Sequence, residues 1–171
     1  MLKRKKYVFP ILFFITICII LFVCNTQKGN YNNKIQTYSN KNINFSVEFP
    51  NSWDSKISER LESTPTQNAS PDGGIEIYVE GNKEDRIYVY GQIGHVSFPN
   101  TNCDSTKFVT SHGNKGILYT ERVSDRKDMH LIFDEGFHAA HIYVSSSCFK
   151  KNERKIIALL KSINLQAVSD K

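Results

Sequence analysis

Most of the motifs that indicate a known chemistry are missing from this 171-residue sequence. It has no GxSxG nucleophile motif, no phosphate-binding GxxxxGK[ST] or GxGxxG loop, and no CxxC pair of the kind that binds zinc. No acidic residue precedes Asn25, although the whole chain has 17 of them. The sequence therefore predicts no particular reaction and no cofactor, and its most informative feature lies at the N-terminus.

The N-terminus has the pattern of a membrane-targeting segment. Residues 3–6 are all basic, and the apolar run that follows, residues 7–24, is broken only by Pro10 and Thr16. Basic residues before an apolar stretch keep the N-terminus in the cytoplasm and direct the following chain across the membrane. We therefore expect a domain on the extracytoplasmic side of a cell membrane, in a Gram-positive bacterium.

Three interpretations of residues 1–24 stay open. The first is an uncleaved signal anchor, although the run is near the lower limit of a spanning helix. The second is a lipoprotein-type signal with lipid attached to Cys24, although Val23 is larger than the residue usually found before such a cysteine. The third is a cleaved secretion signal, although no Ala-x-Ala site ends the run.

Charge divides the chain at the same place. The net charge is +5, but four of the 22 basic residues lie in the first six positions. The remainder has a net charge of +1, which gives no reason to expect a nucleic-acid partner. Residues 25–34 are rich in Asn, Lys and Gly and are interpreted as a tether, and residues 35–171 form one domain.

The domain has the pattern of an α+β fold. Short segments of alternating apolar and polar residues, joined by polar turns, predict an antiparallel sheet of about six strands. Near the C-terminus Ile156, Ile157, Leu160 and Ile163 fall at helical spacing after Asn152, a predicted helix cap. This amphipathic helix should pack on the sheet. A short helix over 54–62 and one helical turn over 104–109 are also predicted.

Two segments of this domain carry a resemblance to a known family. FSVEFPNSW, residues 45–53, resembles the opening of PsbP-like domains, in which a strand leads through Pro to a Trp. NERKIIALLKSINL, residues 152–165, is similar to their closing helix. The resemblance implies an antiparallel sheet with a buried Trp53 and a packed C-terminal helix. The fold is shared by photosystem accessory proteins, a Ran-binding nuclear import factor and many anchored bacterial proteins, and it implies no catalytic residue for this chain.

Four tyrosines are candidates for an interaction surface. They occupy the less apolar register of their predicted strands: Tyr78, Tyr88, Tyr90 and Tyr143. Under a second helix they would be ordinary packing residues, whereas on an open face they would form an aromatic surface that binds a partner. The tether, the lack of nucleophile and metal motifs and the resemblance to a fold used mostly for accessory or binding roles predict a non-enzymatic interaction domain with an unknown protein or cell-envelope partner.

The alternative function is a small extracytoplasmic hydrolase or metal-binding protein. It would use His138 and His141 with the neighbouring acidic residues Asp134 and Glu135. Because the segment is a predicted strand, however, residues three apart should point to opposite faces. Asp128 is interpreted as part of a charged turn. The other three histidines, His95, His112 and His130, are expected to be isolated surface residues.

Two cysteines remain in the predicted domain, Cys103 and Cys148. Outside the cytosol they could form a disulfide. Closing a loop of about 45 residues in this way would stabilise the fold by about 4 kcal/mol in the chain-entropy model.

Overall fold

The computed structural model describes residues 34–59, 73–92, 94, 96 and 103–165, excluding the side chains of residues 59, 122 and 123. This part of the chain forms two antiparallel sheets and one long helix. The elements are β1 Ile35–Asn40, β2 Phe45–Pro50, β3 Asp54–Glu59, β4 Gly73–Tyr78, β5 Arg86–Gly91, β6 Asp104–Val109, β7 Lys115–Val123, β8 Arg126–Phe133, β9 His138–Ser145, α1 Ser146–Ser162 and β10 Asn164–Leu165. The predicted α+β class is confirmed, with more strands than expected.

The larger sheet has seven strands in the order β3-β4-β5-β9-β8-β7-β6. Its side chains alternate strictly, because successive residues of a strand point to opposite faces. One face is apolar and fully buried along its centre, where it contributes Ile75, Ile77, Ile87, Val89, Leu131, Ala140 and Ile142 to the core. We call this the core face and the opposite one the open face.

The smaller sheet and α1 complete the core. The smaller sheet has the order β1-β2-β10, and β2 alternates as predicted, with Phe45, Val47 and Phe49 buried. Trp53 follows and is 2% exposed, which confirms the expectation for this residue. The predicted helical stripe is also confirmed: Ile156, Leu160 and Ile163 are fully buried, joined by Leu159.

The helix begins earlier than the sequence suggested. Ser145, not Asn152, is the N-cap, and its hydroxyl accepts a hydrogen bond from the backbone N–H of Cys148 at 3.3 Å. Asn152 lies one turn after Cys148 and is buried. Its amide donates a hydrogen bond to the carbonyl of Cys148 at 3.3 Å. A buried amide with a backbone partner inside the helix cannot be distinguished from a cap by sequence position alone.

Two short helices predicted from the sequence are wrong. Residues 54–59 form β3, which pairs with β4 along its whole length, and residues 104–109 form β6, which pairs in the same way with β7. Ile57, which suggested an amphipathic helix, is 55% exposed at the sheet edge. Helices of six to nine residues are marginal by themselves, whereas an adjacent strand offers a complete ladder of backbone hydrogen bonds.

His138 joins the two sheets. Its Nε2 lies 2.5 Å from the carbonyl oxygen of Ile43, in the loop before β2, and its Nδ1 lies 2.7 Å from Glu135. The ring also meets Phe45 edge-on, with centroids 5.9 Å apart. Burial by itself lowers the pKa of His138, but the hydrogen bonds to Glu135 and Ile43 outweigh it, so the pKa is raised.

The N-terminal predictions lie outside the described residues. These are the segment 7–24 with Cys24 and the tether that follows it. Within the residues that are described, no helix is both long enough and apolar enough to cross a membrane.

The packing of α1 makes a direct prediction. Changing Leu160, which is fully buried, to Ala should lower the free energy of unfolding by about 2–5 kcal/mol, as for other large-to-small changes in protein cores. Chemical denaturation of this variant should be compared with Lys155→Ala, on the exposed side of the same helix. Equal stability of the two variants would contradict the observed helix phase.

The His138 contacts predict a pH-dependent contribution to stability. Because the folded pKa is raised, the contribution is complete below the unfolded pKa of about 6.5 and is lost as pH rises through the folded value. The unfolding free energy of the wild type should therefore exceed that of His138→Gln by more at pH 5.5 than at pH 8.5. His112→Gln, in an exposed turn, controls for loss of a histidine. A difference that stays constant with pH would refute the assignment.

Candidate binding site on the open face of the large sheet

The open face is polar and aromatic where the core face is aliphatic. Its side chains form cross-strand rows, because directly opposed residues share a face. One row contains Glu76, Tyr88, His141, His130 and Tyr119, and the next contains Tyr78, Arg86, Tyr143, Asp128 and Glu121. These rows bring together residues from five strands that are distant in sequence.

A short apolar cluster covers one end of this face. The side chain of Val96 packs on Ile132 of β8 and Ala139 of β9. Tyr90 and Tyr119 pack against the margin of this cluster. Among the described residues no helix lies on the open face.

The four predicted tyrosines all lie on this face and are half-buried. The rings of Tyr88 and Tyr90 stack with centroids 4.9 Å apart and planes inclined by 22°. The hydroxyl of Tyr78 donates to Glu76 at 2.9 Å. Each of these contacts restricts the orientation of a ring that remains partly accessible.

Tyr143 lies between two arginines. The guanidinium carbon of Arg126 is 4.0 Å from the ring centroid, and that of Arg86 is 5.9 Å away. Arg126 also donates to the carbonyl of Glu84 and lies 3.8 Å from Asp85. A cation over the ring face is attracted to its quadrupole, so this contact fixes both partners.

Three phenol groups of this face, those of Tyr78, Tyr88 and Tyr90, are protonated at neutral pH because their pKa values are raised. The hydrogen bond to Glu76 raises the pKa of Tyr78, and burial raises the pKa of Tyr88 and of Tyr90. These hydroxyls can therefore donate hydrogen bonds to a ligand or partner.

Asp128, His130 and His141 form a cluster at the centre of the face. Nε2 of His141 is 2.6 Å from Oδ1 of Asp128, and Nε2 of His130 is 3.4 Å from the same oxygen. The two imidazoles stack with centroids 3.9 Å apart. Burial and the neighbouring His141 lower the pKa of His130 despite the attraction of Asp128.

The sequence does not predict this cluster, because it indicates an isolated His130 and a charged turn that includes Asp128. In the structure the turn is only Ser124-Asp125, and β8 begins at Arg126. The spacing Asp128-x-His130 was an available signal, because on a strand it places both residues on one face. Only the register of β8 with β9 shows that His130 lies directly opposite His141.

The structure brings together only His138 and Glu135 of the predicted alternative site. His138 lies on the core face beside Phe45 and binds Glu135, whereas His141 lies on the open face beside Asp128. Asp134 is exposed in the turn between β8 and β9. His138 and His141 therefore lie on opposite faces of β9, as their spacing of three on a predicted strand indicated.

The structure does not contain the expected disulfide between Cys103 and Cys148. Cys103 precedes β6, and Cys148 lies in the first turn of α1, directly after β9. Burial, with the nearby Asp85 carboxylate, raises the pKa of Cys148 to about 11, so its sulfur is a protonated thiol at neutral pH.

Charges of both signs are interspersed on the open face. Asp54, Glu76, Glu121 and Asp128 alternate with Lys56, Arg86, Lys107 and Arg126 across the strands. The described part of this face therefore has no basic stripe that would attract a phosphate backbone.

Comparisons with known proteins identify the fold. No family model matches the sequence, and no curated protein does. The solution structure of cyanobacterial PsbP (CyanoP) from Synechocystis is similar, with a TM-score of 0.52 over 81% of this chain and 96% of that chain. The two sequences are only 10% identical, so the likeness concerns the fold and not the site. The chain thus contains a domain with the PsbP-like fold, as residues 45–53 and the closing helix indicated.

Proposed function

We propose that this protein is a non-enzymatic, membrane-tethered interaction domain on the extracytoplasmic side of the cell membrane. Its open face binds a protein partner of the cell envelope. The observation that carries the proposal is the open face itself, where half-buried tyrosines and arginines are held in place by their neighbours.

The composition of the face supports protein binding. Tyr and Arg are enriched among the residues that contribute most to protein–protein affinity. Here the stack of Tyr88 on Tyr90 and the contact of Arg126 with Tyr143 exist within the domain itself. Ordering these side chains is therefore largely complete before binding, which reduces the entropy lost on association.

The shape of the face favours a macromolecule over a small ligand. From β4 to β7 the rows cross five strands, a width of about 19 Å at the usual strand spacing. Small molecules bind in concave pockets that enclose most of their surface, whereas a broad sheet face matches the surface of a folded protein. Interspersed charges add register and specificity to such a contact.

The competing hydrolase hypothesis receives less support from the geometry. It would use His138 or His141 with Asp134 or Glu135. Of these, His138 pairs with Glu135, but its other ring nitrogen is occupied by the Ile43 carbonyl, so the pair joins the two sheets. His141 lies on the opposite face beside Asp128, and Asp134 is exposed in a turn.

The first test is capture of the partner in the native cell. After crosslinking, the tagged wild type should recover a reproducible protein, and Tyr88→Ser/Tyr143→Ser should recover it about tenfold less or worse, as expected for hot-spot residues. Tyr90 is left unchanged because it packs against the Val96 cluster.

A matched control makes this experiment specific. Ile35→Ser/Ile57→Ser removes two exposed hydrophobic side chains that lie off the open face, on β1 and on the core side of β3. This variant should recover the partner at the wild-type level. Equal losses in both double variants, or no loss in either, would refute the proposed face.

The second test concerns location. Protease added to intact protoplasts should degrade the domain while leaving a cytosolic marker intact, because the basic residues before the apolar run direct it outward. Intact-mass analysis of the membrane fraction then separates an anchor, a lipidated Cys24 and a cleaved form. Full protection from protease until lysis would contradict the proposed orientation.

A further inference from the structure

We propose that Asp128, His130 and His141 form a binding site for a divalent transition metal ion of the zinc class on the open face. The inference concerns the domain alone and does not depend on the partner proposed above. It uses a different set of residues from the site that the sequence suggested around His138.

The donor atoms are already close to the geometry that such an ion requires. One ligand atom from each residue lies within 4.8 Å of the other two. In a tetrahedral zinc site with bonds of 2.0–2.1 Å, neighbouring donor atoms are about 3.3 Å apart. His130 and Asp128 meet this value at 3.4 Å, and His141, at 2.6 Å from Asp128, must open by about 0.7 Å to admit an ion.

The sheet holds the three residues in register. His130 and His141 are direct cross-strand neighbours on β8 and β9, and Asp128 is two residues before His130 on the same face. The residues next to the two histidines along their strands are fully buried on the core face: Leu131, Ala140 and Ile142. A slip of either strand would exchange the two faces, so core packing fixes the positions of the three ligands.

The donor set selects the class of metal. Two imidazole nitrogens and one carboxylate suit zinc and neighbouring first-row ions, whereas Ca²⁺ and Mg²⁺ prefer oxygen ligands. Three protein ligands leave at least one coordination position for water or an incoming group. The ligand side chains are 21–35% exposed, so an ion can enter from solvent.

Neighbouring charges are compatible with a bound cation. Glu121, on β7, lies directly opposite Asp128 and adds negative charge at the site. Arg126 lies on the same face two residues before Asp128, but its guanidinium is engaged by Tyr143, Asp85 and the carbonyl of Glu84. The charge of Arg126 is therefore partly compensated by Asp85 and by its contacts with Tyr143 and the Glu84 carbonyl.

The test is a metal titration of the full-length chain in detergent micelles, with any polyhistidine tag removed and metal stripped by a chelator. Zn²⁺ should bind by calorimetry with one ion per chain, and Co²⁺ should give the visible absorption of a tetrahedral site. Ca²⁺ and Mg²⁺ should not compete. Zn²⁺ should also raise the melting temperature, because it binds only the folded arrangement of ligands.

Three variants locate the ion. His130→Ala, His141→Ala and Asp128→Asn should each weaken Zn²⁺ binding at least about tenfold, since even indirect partners of a metal contribute that much. His112→Ala, in the exposed turn between β6 and β7, should bind as the wild type does. Unchanged affinity in the three variants would place the ion elsewhere and overturn the proposal.

A measurement on the wild type covers the case in which a variant fails to fold. Nitrogen-15 spectra of the imidazoles should show Zn²⁺ shifting the resonances of His130 and His141 and leaving those of His138 and His112 unchanged. Shifts confined to other histidines, or no binding at all, would refute the site. Because no partner is present in any of these measurements, their failure leaves the proposed interaction domain to be judged by its own test.

Discussion

The strand register of β9 is the constraint on which the rest of the structure depends. Ala140, Ile142 and Val144 must face α1 and the small sheet, since all three are fully buried. The alternation of a strand then places His141 and Tyr143 on the other side. A slip by one residue would bury an imidazole and a phenol in the core and expose three aliphatic side chains. The register of β9 therefore determines both which side chains fill the core and which side chains lie on the open face.

The open face gains order from contacts that the core does not supply. Tyr143 is held by Arg126, Tyr88 by Tyr90, and the two histidines by Asp128. Such contacts are individually weak when exposed to solvent, but on a sheet each is added to a backbone that is already rigid. The result is a surface whose polar and aromatic groups are positioned in the absence of any partner. A metal ion at the central cluster and a protein across the tyrosines are compatible uses of this surface, because their residues alternate along neighbouring strands.

His138 and His141 illustrate how one sequence motif can serve two unrelated purposes. The first imidazole bridges the two sheets through Ile43 and Glu135, and the second belongs to the surface cluster. Their spacing of three resembles a metal-binding motif only on a helix, where residues at that spacing share a face. Similarly, Cys103 and Cys148 looked like a disulfide because both belong to the predicted domain. In the structure they lie on different elements, before β6 and in α1, and are not bonded to each other.

The sequence alone determined what depends on local periodicity. The strands that alternate clearly, the buried stripe of α1 and the separation of His138 from His141 all follow from periods of two or near four residues, whereas the burial of Trp53 was implied by the family resemblance. Tertiary structure alone decided what depends on pairing between distant segments. The polar segments 54–59 and 104–109 became strands because neighbouring strands offered complete hydrogen-bond ladders. His130 became the neighbour of His141 because β8 and β9 pair in one register, and Asp128 joined them because its strand begins two residues before it. Local periodicity shows which face a side chain occupies, but only the strand pairing determines which side chains are its neighbours on that face.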